Sequence, residues 1–203
     1  MFGYFGQYLR CDVSTGVAEW RPLRAEVLRH YLGGVGLGTW LLTQEAPVGV
    51  EPFSPDAPLI FAFSSLVGTP LTTSAKFAVV AKSPLTQRLN DALSSSHFAI
   101  TGKLTGADAL VIVGRAERPA VLVLDSGQMR LDDARELWGQ TAEITTALLR
   151  EKYGPEYQFA VIGPAGENLV RYATISHDNR HAGRGGLGAV LGSKNIKAVA
   201  VRG

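Results

Sequence analysis

The sequence predicts a strand-rich α+β fold. Three observations predict it. Apolar runs of four or five residues recur at 59–63, 77–81, 109–113, 120–124 and 159–162, and 197–201 adds four apolar residues after Lys197, all the length of strands. Only a few segments carry the 3.6-residue apolar period of a helix, and the connections between runs are rich in glycine, serine and threonine.

Taken in order, Tyr8–Val13 and Val17–Arg21 alternate around Ser14-Thr15-Gly16, which predicts a β-hairpin with Gly16 free to take a positive φ. Segment 24–32 sets Val27, Leu28, Tyr31 and Leu32 on one helical face, with Gly33-Gly34 as its stop; a second short helix is expected over 37–45, before Pro47. Pro47, Pro52, Pro55 and Pro58 make 46–58 an extended connection leading into the strand 59–63. Segment 68–76, GTPLTTSAK, reads as a polar loop, 77–81 as a strand, and 82–98, KSPLTQRLNDALSSSHF, as a long surface or ligand loop. Strands 109–113 and 120–124 read as a pair across GRAERP, with 129–131 as an added edge. Asp132-Asp133 reads as a helix N-cap ahead of Ala134. Segment 141–153 is the most regular helix, with Ile144, Ala147 and Leu148 as its apolar face and Gly154-Pro155 as its end. Strands 159–162, 172–176 and 197–201 close the chain.

With 203 residues, 46% apolar and 19% charged, the chain can bury a core, and a single domain over 1–203 is expected. A net charge of +2, evenly spread, is too mild for a nucleic-acid binder. Arginine makes up 14 of the 20 basic residues, which favours a phosphate or carboxylate ligand or else reflects a genome that prefers arginine codons. One cysteine, Cys11, allows neither an internal disulfide nor a cysteine-ligated cluster held by this chain alone; it is expected to be packed in the opening hairpin. No signal-like start and no run of 18 apolar residues is present, so a cytoplasmic chain that does not enter the membrane is expected.

Residues 179–195, NRHAGRGGLGAVLGSKN, place Gly183, Gly185 and Gly188 on the spacing G-x-G-x-x-G. A dinucleotide loop opens a βαβ unit and needs an acidic residue about 20 positions later. Only 15 residues follow Gly188, none of them Asp or Glu. Gly192-Ser193-Lys194 has the wrong order for a Walker loop. Two readings stay open. Arg180, His181 and Arg184 flank glycines whose N–H groups can face an anion, with a helix over 185–193 behind them; or the segment is a tight turn packing a helix on a sheet. His177 reads as a solvated loop histidine, His97 as structural, and Glu167 as either orienting a late arginine or closing a turn.

Segment 163–201, GPAGENLVRYATISHDNRHAGRGGLGAVLGSKNIKAVAV, resembles the end of the N-terminal domain of the tungsten-containing aldehyde ferredoxin oxidoreductases. LRCDVSTG (9–16), YLGGVGLGTWLL (31–42), SSLVGTPLTTSAKFAVVAKSPLT (64–86) and SSSHFAITGKLTGADALVIVGRAERP (94–119) resemble further family segments in the same order. The resemblance implies two β-sheets with short helices that cradle a tungsten (or molybdenum) bis-pyranopterin whose phosphates are linked through magnesium. It implies cofactor contacts from Lys76, from Ser94 and Ser95, and from Arg180, His181, Gly183, Arg184 and Gly185. It implies no catalytic residue and no metal ligand within this chain. The [4Fe-4S] cluster and catalytic groups of the family lie in later domains, so a partner chain or further domains would supply them, and ferredoxin would take electrons from the assembled enzyme; a homo-oligomer is left open. The sequence departs from the family where arginine becomes Val35 and Lys76, and where asparagine and glycines become Leu93, Ser95 and Ser96. Those departures keep a rival in view: a non-catalytic relative that uses the pocket for another anion, or as an assembly or cofactor-storage module.

Overall fold

The structure, a computed structural model, describes residues 3–203; Met1 and Phe2, the start of the expected domain, lie outside the described residues. The first half contains β1 (Gln7–Asp12), β2 (Val17–Pro22), α1 (Ala25–Tyr31), α2 (Gly34–Glu45), β3 (Leu59–Phe63), β4 (Lys76–Lys82), β5 (Leu89–Ser95), α3 (His97–Leu104) and β6 (Ala109–Val113). The second contains β7 (Ala120–Asp125), β8 (Gln128–Asp133), a 3₁₀ turn (Arg135–Leu137), α4 (Ala142–Tyr153), β9 (Gln158–Val161), α5 (Pro164–Glu167), β10 (Ile175–His177), β11 (Arg180–Ala182), α6 (Leu187–Ser193) and β12 (Ile196–Arg202). Two mixed six-stranded sheets result, in the orders β2-β1-β6-β3-β4-β5 and β11-β10-β9-β12-β7-β8. This is the α+β architecture that the strand-length apolar runs imply.

Each sheet buries one face against the other. Leu9, Phe61, Phe77 and Phe98 from the first half meet Leu122, Val190 and Val199 from the second in one core. Strand alternation sends the remaining side chains outward. Ile60, Ala62, Ala78 and Val80 pack under Leu37 and Leu41 of α2, while Val121, Phe159 and Ala198 pack under Leu149 of α4. Strands covered on both faces read as apolar runs, which makes β3, the centre of β4, β6 and the 198–201 part of β12 recognisable.

Several expectations need correction. Strands β6 and β7 do not pair: β6 runs parallel to β1 and β7 parallel to β12, in different sheets. GRAERP is a crossing between sheets, pinned where the Ala116 amide donates to the Lys194 carbonyl and the Arg115 guanidinium donates to the Ser193 carbonyl. Segment 82–98 is not one long loop. It contains β5, and then α3 opens with Ser96 as N-cap, its hydroxyl accepting from the Phe98 amide. Pairing with β4 overrides the poor strand propensity of this serine-rich stretch.

Gly33-Gly34 do not stop α1. Leu32 does, at φ 59°, and the glycines open α2 instead, where a Cβ on Gly33 would meet the Phe63 carbonyl oxygen at 2.8 Å. Tyr31 and Leu32 are correspondingly exposed. Asp132 and Asp133 lie in β8, with Asp133 bonding the Arg135 amide and guanidinium ahead of the 3₁₀ turn. Helix α4 is rotated from the expected face: Thr145 and Leu149 are buried, whereas Ile144, Ala147 and Leu148 face outward. The expected strand over 172–176 shifts to β10, leaving Tyr172 exposed, and the helix over 185–193 shortens to α6. Among the described residues no helix is long and apolar enough to cross a membrane.

Candidate functional site

The two sheets meet along their edge strands. β5 pairs only with β4, β11 pairs only with β10, and β11 lies beside β5. The hairpin β10–β11 turns through Asp178 and Asn179, both with positive φ (47° and 57°), a two-residue turn that these side chains tolerate.

His177 straps the sheets together. Its Nε2 lies 2.5 Å from the Ser94 hydroxyl and its Nδ1 2.8 Å from the Ser96 hydroxyl, and its ring packs edge-on against Phe77. This corrects the expectation of a solvated histidine: the side chain is 2% exposed, because the hairpin folds it into the inter-sheet core. Beside it, His97 Nδ1 approaches Asp178 at 2.9 Å, a bond that holds the Asp178 carboxyl below its usual range. Burial, followed by the neighbouring charge of His181, pushes the His177 imidazole down from 6.5 to about 4.

That shift has a sign. Between pH 6.5 and 4 the unfolded chain holds the proton that folded His177 refuses, so this contribution is complete above 6.5 and is lost as pH falls toward 4. Its size is on the order of 3 kcal/mol. Denaturant titrations of His177→Gln at pH 7 and pH 4.5 are expected to show a flatter acid limb than the parent, and an identical acid limb contradicts the strap.

The predicted site residues divide between faces. Lys76 is the first residue of β4 and pairs in register with Ser95, on the face that carries α2. Leu93 projects on that same face and is 59% exposed. Ser94 points the other way, its hydroxyl committed to His177 and reaching the His181 carbonyl at 3.4 Å. Arg180 pairs with His177 and shares its face of the hairpin, at the exposed rim. His181 lies on the opposite face. Its Nδ1 meets the Ser176 hydroxyl at 3.0 Å, and its ring lines a cavity of about 410 Å³ beneath α4 with Glu143, Arg150 and Asp178. Gly183 and Arg184 are exposed, and Gly185 and Gly186 follow with φ of 71° and 76°.

Among the described residues Lys76, Arg180 and Arg184 enter no ion pair, a property shared by Arg24, Arg29, Arg88, Arg118, Arg150 and Arg171, so it is their place around the seam that groups them. From Asn90, which reaches the Arg184 carbonyl, to Ser95 beside Lys76, the β5 edge runs roughly 17 Å at ordinary strand rise. Free cations spread over that length suit an extended anion better than a single phosphate. Glu167 orients no arginine. Its side chain is buried, pairs with the buried Lys197 and accepts the Gly139 amide. Cys11 is buried as expected, its thiol pushed up to about 12 by desolvation. Among the described residues no three His, Cys, Asp or Glu side chains are placed to hold a metal.

Fold and seam together define an α+β protein of two packed sheets with a cationic rim where their edges meet. Residues 8–203 match the aldehyde ferredoxin oxidoreductase, N-terminal domain family, and the chain belongs to it. It is 40% identical over 205 residues to a tungsten-containing aldehyde ferredoxin oxidoreductase of Pyrococcus horikoshii and 42% identical to that of Pyrococcus furiosus, covering all of this chain and 34% of each relative. The chain thus spans about a third of the length of these curated relatives. Among solved structures it superposes with TM-score 0.95 and 35% identity on the active-site complex BamBC of benzoyl coenzyme A reductase with 1,5-dienoyl-CoA, covering all of this chain and 31% of that one.

Proposed function

We propose that residues 1–203 form one domain that binds a tungsten (or molybdenum) bis-pyranopterin, as the N-terminal domain or a subunit of an aldehyde:ferredoxin oxidoreductase. The observation that carries this reading is the seam: Arg180 on the edge strand β11, Arg184 in the loop after it and Lys76 at the start of β4 beside the edge strand β5 enter no ion pair among the described residues. The fit is chemical. Pterin phosphates need cation forks, which Arg180 and Arg184 offer, and pterin rings need hydrogen-bond donors and acceptors, which open backbone offers at Gly183 and Gly185. Lys76 adds a point charge on the α2 face, with the Ser95 hydroxyl beside it. Ser94 contributes indirectly, by holding His177 and with it the hairpin that carries Arg180. The phosphate-linking magnesium is part of the same proposal.

When bound, the tungsten centre supplies oxidation of an aldehyde to a carboxylate with electrons leaving one at a time toward ferredoxin. This chain binds and orients. A [4Fe-4S] cluster and the proton-transferring groups belong to further domains or a partner chain, in keeping with relatives about three times as long. Cytoplasmic residence goes with this reading.

Two observations favour a second reading, in which the pocket holds a different anion in a non-catalytic assembly: Leu93 projects on the Lys76 face, and the Ser94 hydroxyl is already engaged. Metal analysis and pterin fluorescence on protein purified anaerobically from its native host separate the two. Tungsten or molybdenum near one per chain, with fluorescent pterin on oxidation, is expected; reproducible absence of both favours the second reading.

A further inference from the structure

Two side chains of the first sheet grip the loop that carries Arg184. The Asn90 amide on β5 donates to the Arg184 carbonyl at 3.2 Å, and the Ser83 hydroxyl, in the turn after β4, donates to the Gly185 carbonyl at 2.7 Å. Both bonds span about half the chain, so no local propensity makes them. Ser83 is fully buried, and its oxygen also accepts the Leu85 and Thr86 amides at 3.1 Å, which fixes its hydroxyl direction.

A trans peptide is planar, with its C=O and the following N–H pointing in opposite directions. With no cis bond among the described residues, turning the Arg184 and Gly185 carbonyls toward Asn90 and Ser83 turns the Gly185 and Gly186 N–H groups the other way. The two glycines are left-handed, and the space around them is closed. A Cβ on Gly185 would overlap the Asn90 side chain, and one on Gly186 would overlap the Arg171 carbonyl oxygen. The loop is thus tied to the first sheet through two of its carbonyls, with no room for a side chain at either glycine.

We propose that Ser83 and Asn90 are positioning residues, which aim the Gly185 and Gly186 amides and the Arg184 guanidinium at the phosphate of the bound ligand without touching it themselves. This rests on the cofactor-wall reading above. Oriented backbone amides are effective anion donors only while their peptide planes are held.

The test uses this chain labelled with nitrogen-15 and titrated with inorganic pyrophosphate. In the parent, the Gly185 and Gly186 amide resonances are expected to move with pyrophosphate. Asn90→Ala is expected to weaken that titration about tenfold, and Asn90→Asp, which removes the donor and sets a charge against the carbonyl, to abolish it, with the remaining amide spectrum unchanged. Ser83→Ala, which also releases two turn amides, is secondary; the Asn90 pair decides the matter if it misfolds. Parent-like pyrophosphate binding in both Asn90 variants overturns the positioning role while leaving the cofactor wall standing. If the parent amides themselves do not respond, the cofactor wall falls and the positioning role with it.

Discussion

Replacing Arg180 and Arg184 together by alanine is expected to abolish pterin retention while leaving the chain folded. Both side chains are exposed and enter no ion pair among the described residues, so their loss costs the fold little, within about 0.5 kcal/mol each. Each charge-assisted contact to a phosphate contributes about 1.5–3 kcal/mol, so losing two weakens binding by about a hundredfold to ten-thousandfold. Lysine at both positions should restore charge without the fork, and so recover only part of the binding. Pterin content measured beside the urea midpoint checks both halves. Unchanged pterin with a normal midpoint removes these arginines from the site.

Glu167→Ala is expected to be the most damaging single change to the fold. Lys197 is fully buried on β12, and its ammonium is held by the Glu167 carboxylate and the Gln140 carbonyl. Desolvation pushes its pKa below the ordinary lysine value, and the Glu167 partner opposes that shift. Removing the carboxylate leaves a buried charge with one neutral acceptor and also frees the Gly139 amide, for a loss of about 3–5 kcal/mol. The double variant Glu167→Leu, Lys197→Met removes both charges and should be milder than the single one, because no unpaired ion remains. Urea denaturation of the two variants decides it. A single-variant loss below about 1 kcal/mol means that the pair is not what secures β12 to α5.

These expectations also mark what was legible in the sequence. Strands 59–63, 77–81 and 109–113 declared themselves because both their faces are buried, which leaves no polar residue to blur the run, and 198–201 stayed legible behind Lys197 for the same reason. Strand β5 did not. It is an edge, with Leu89 and Leu93 exposed and Ser94 buried, so its pattern inverts the usual alternation and exists only because β4 pairs with it. The partner of β6 was likewise invisible: a five-residue apolar run does not say whether its neighbour lies six residues or a hundred away, and here β1 is the parallel one.

The same divide runs through the site. Arg180 and Arg184 stood out by residue type and by resemblance. Ser83, Asn90 and His177 did not, since their roles are bonds made across 80 to about 100 residues. One signal was available: Asp178-Asn179, a pair that tolerates positive φ, between short segments that alternate as strands, marks the hairpin that buries His177.

The measurement that bears most directly on the central claim is the position of the metal. Crystals of the cofactor-loaded protein, recorded across the tungsten absorption edge, would place the metal by its anomalous scattering. The peak is expected beside the β5–β11 seam, with pterin phosphate density against Arg180, Arg184 and the Gly185–Gly186 backbone. A peak remote from that seam, or phosphate density that avoids both arginines, contradicts the account.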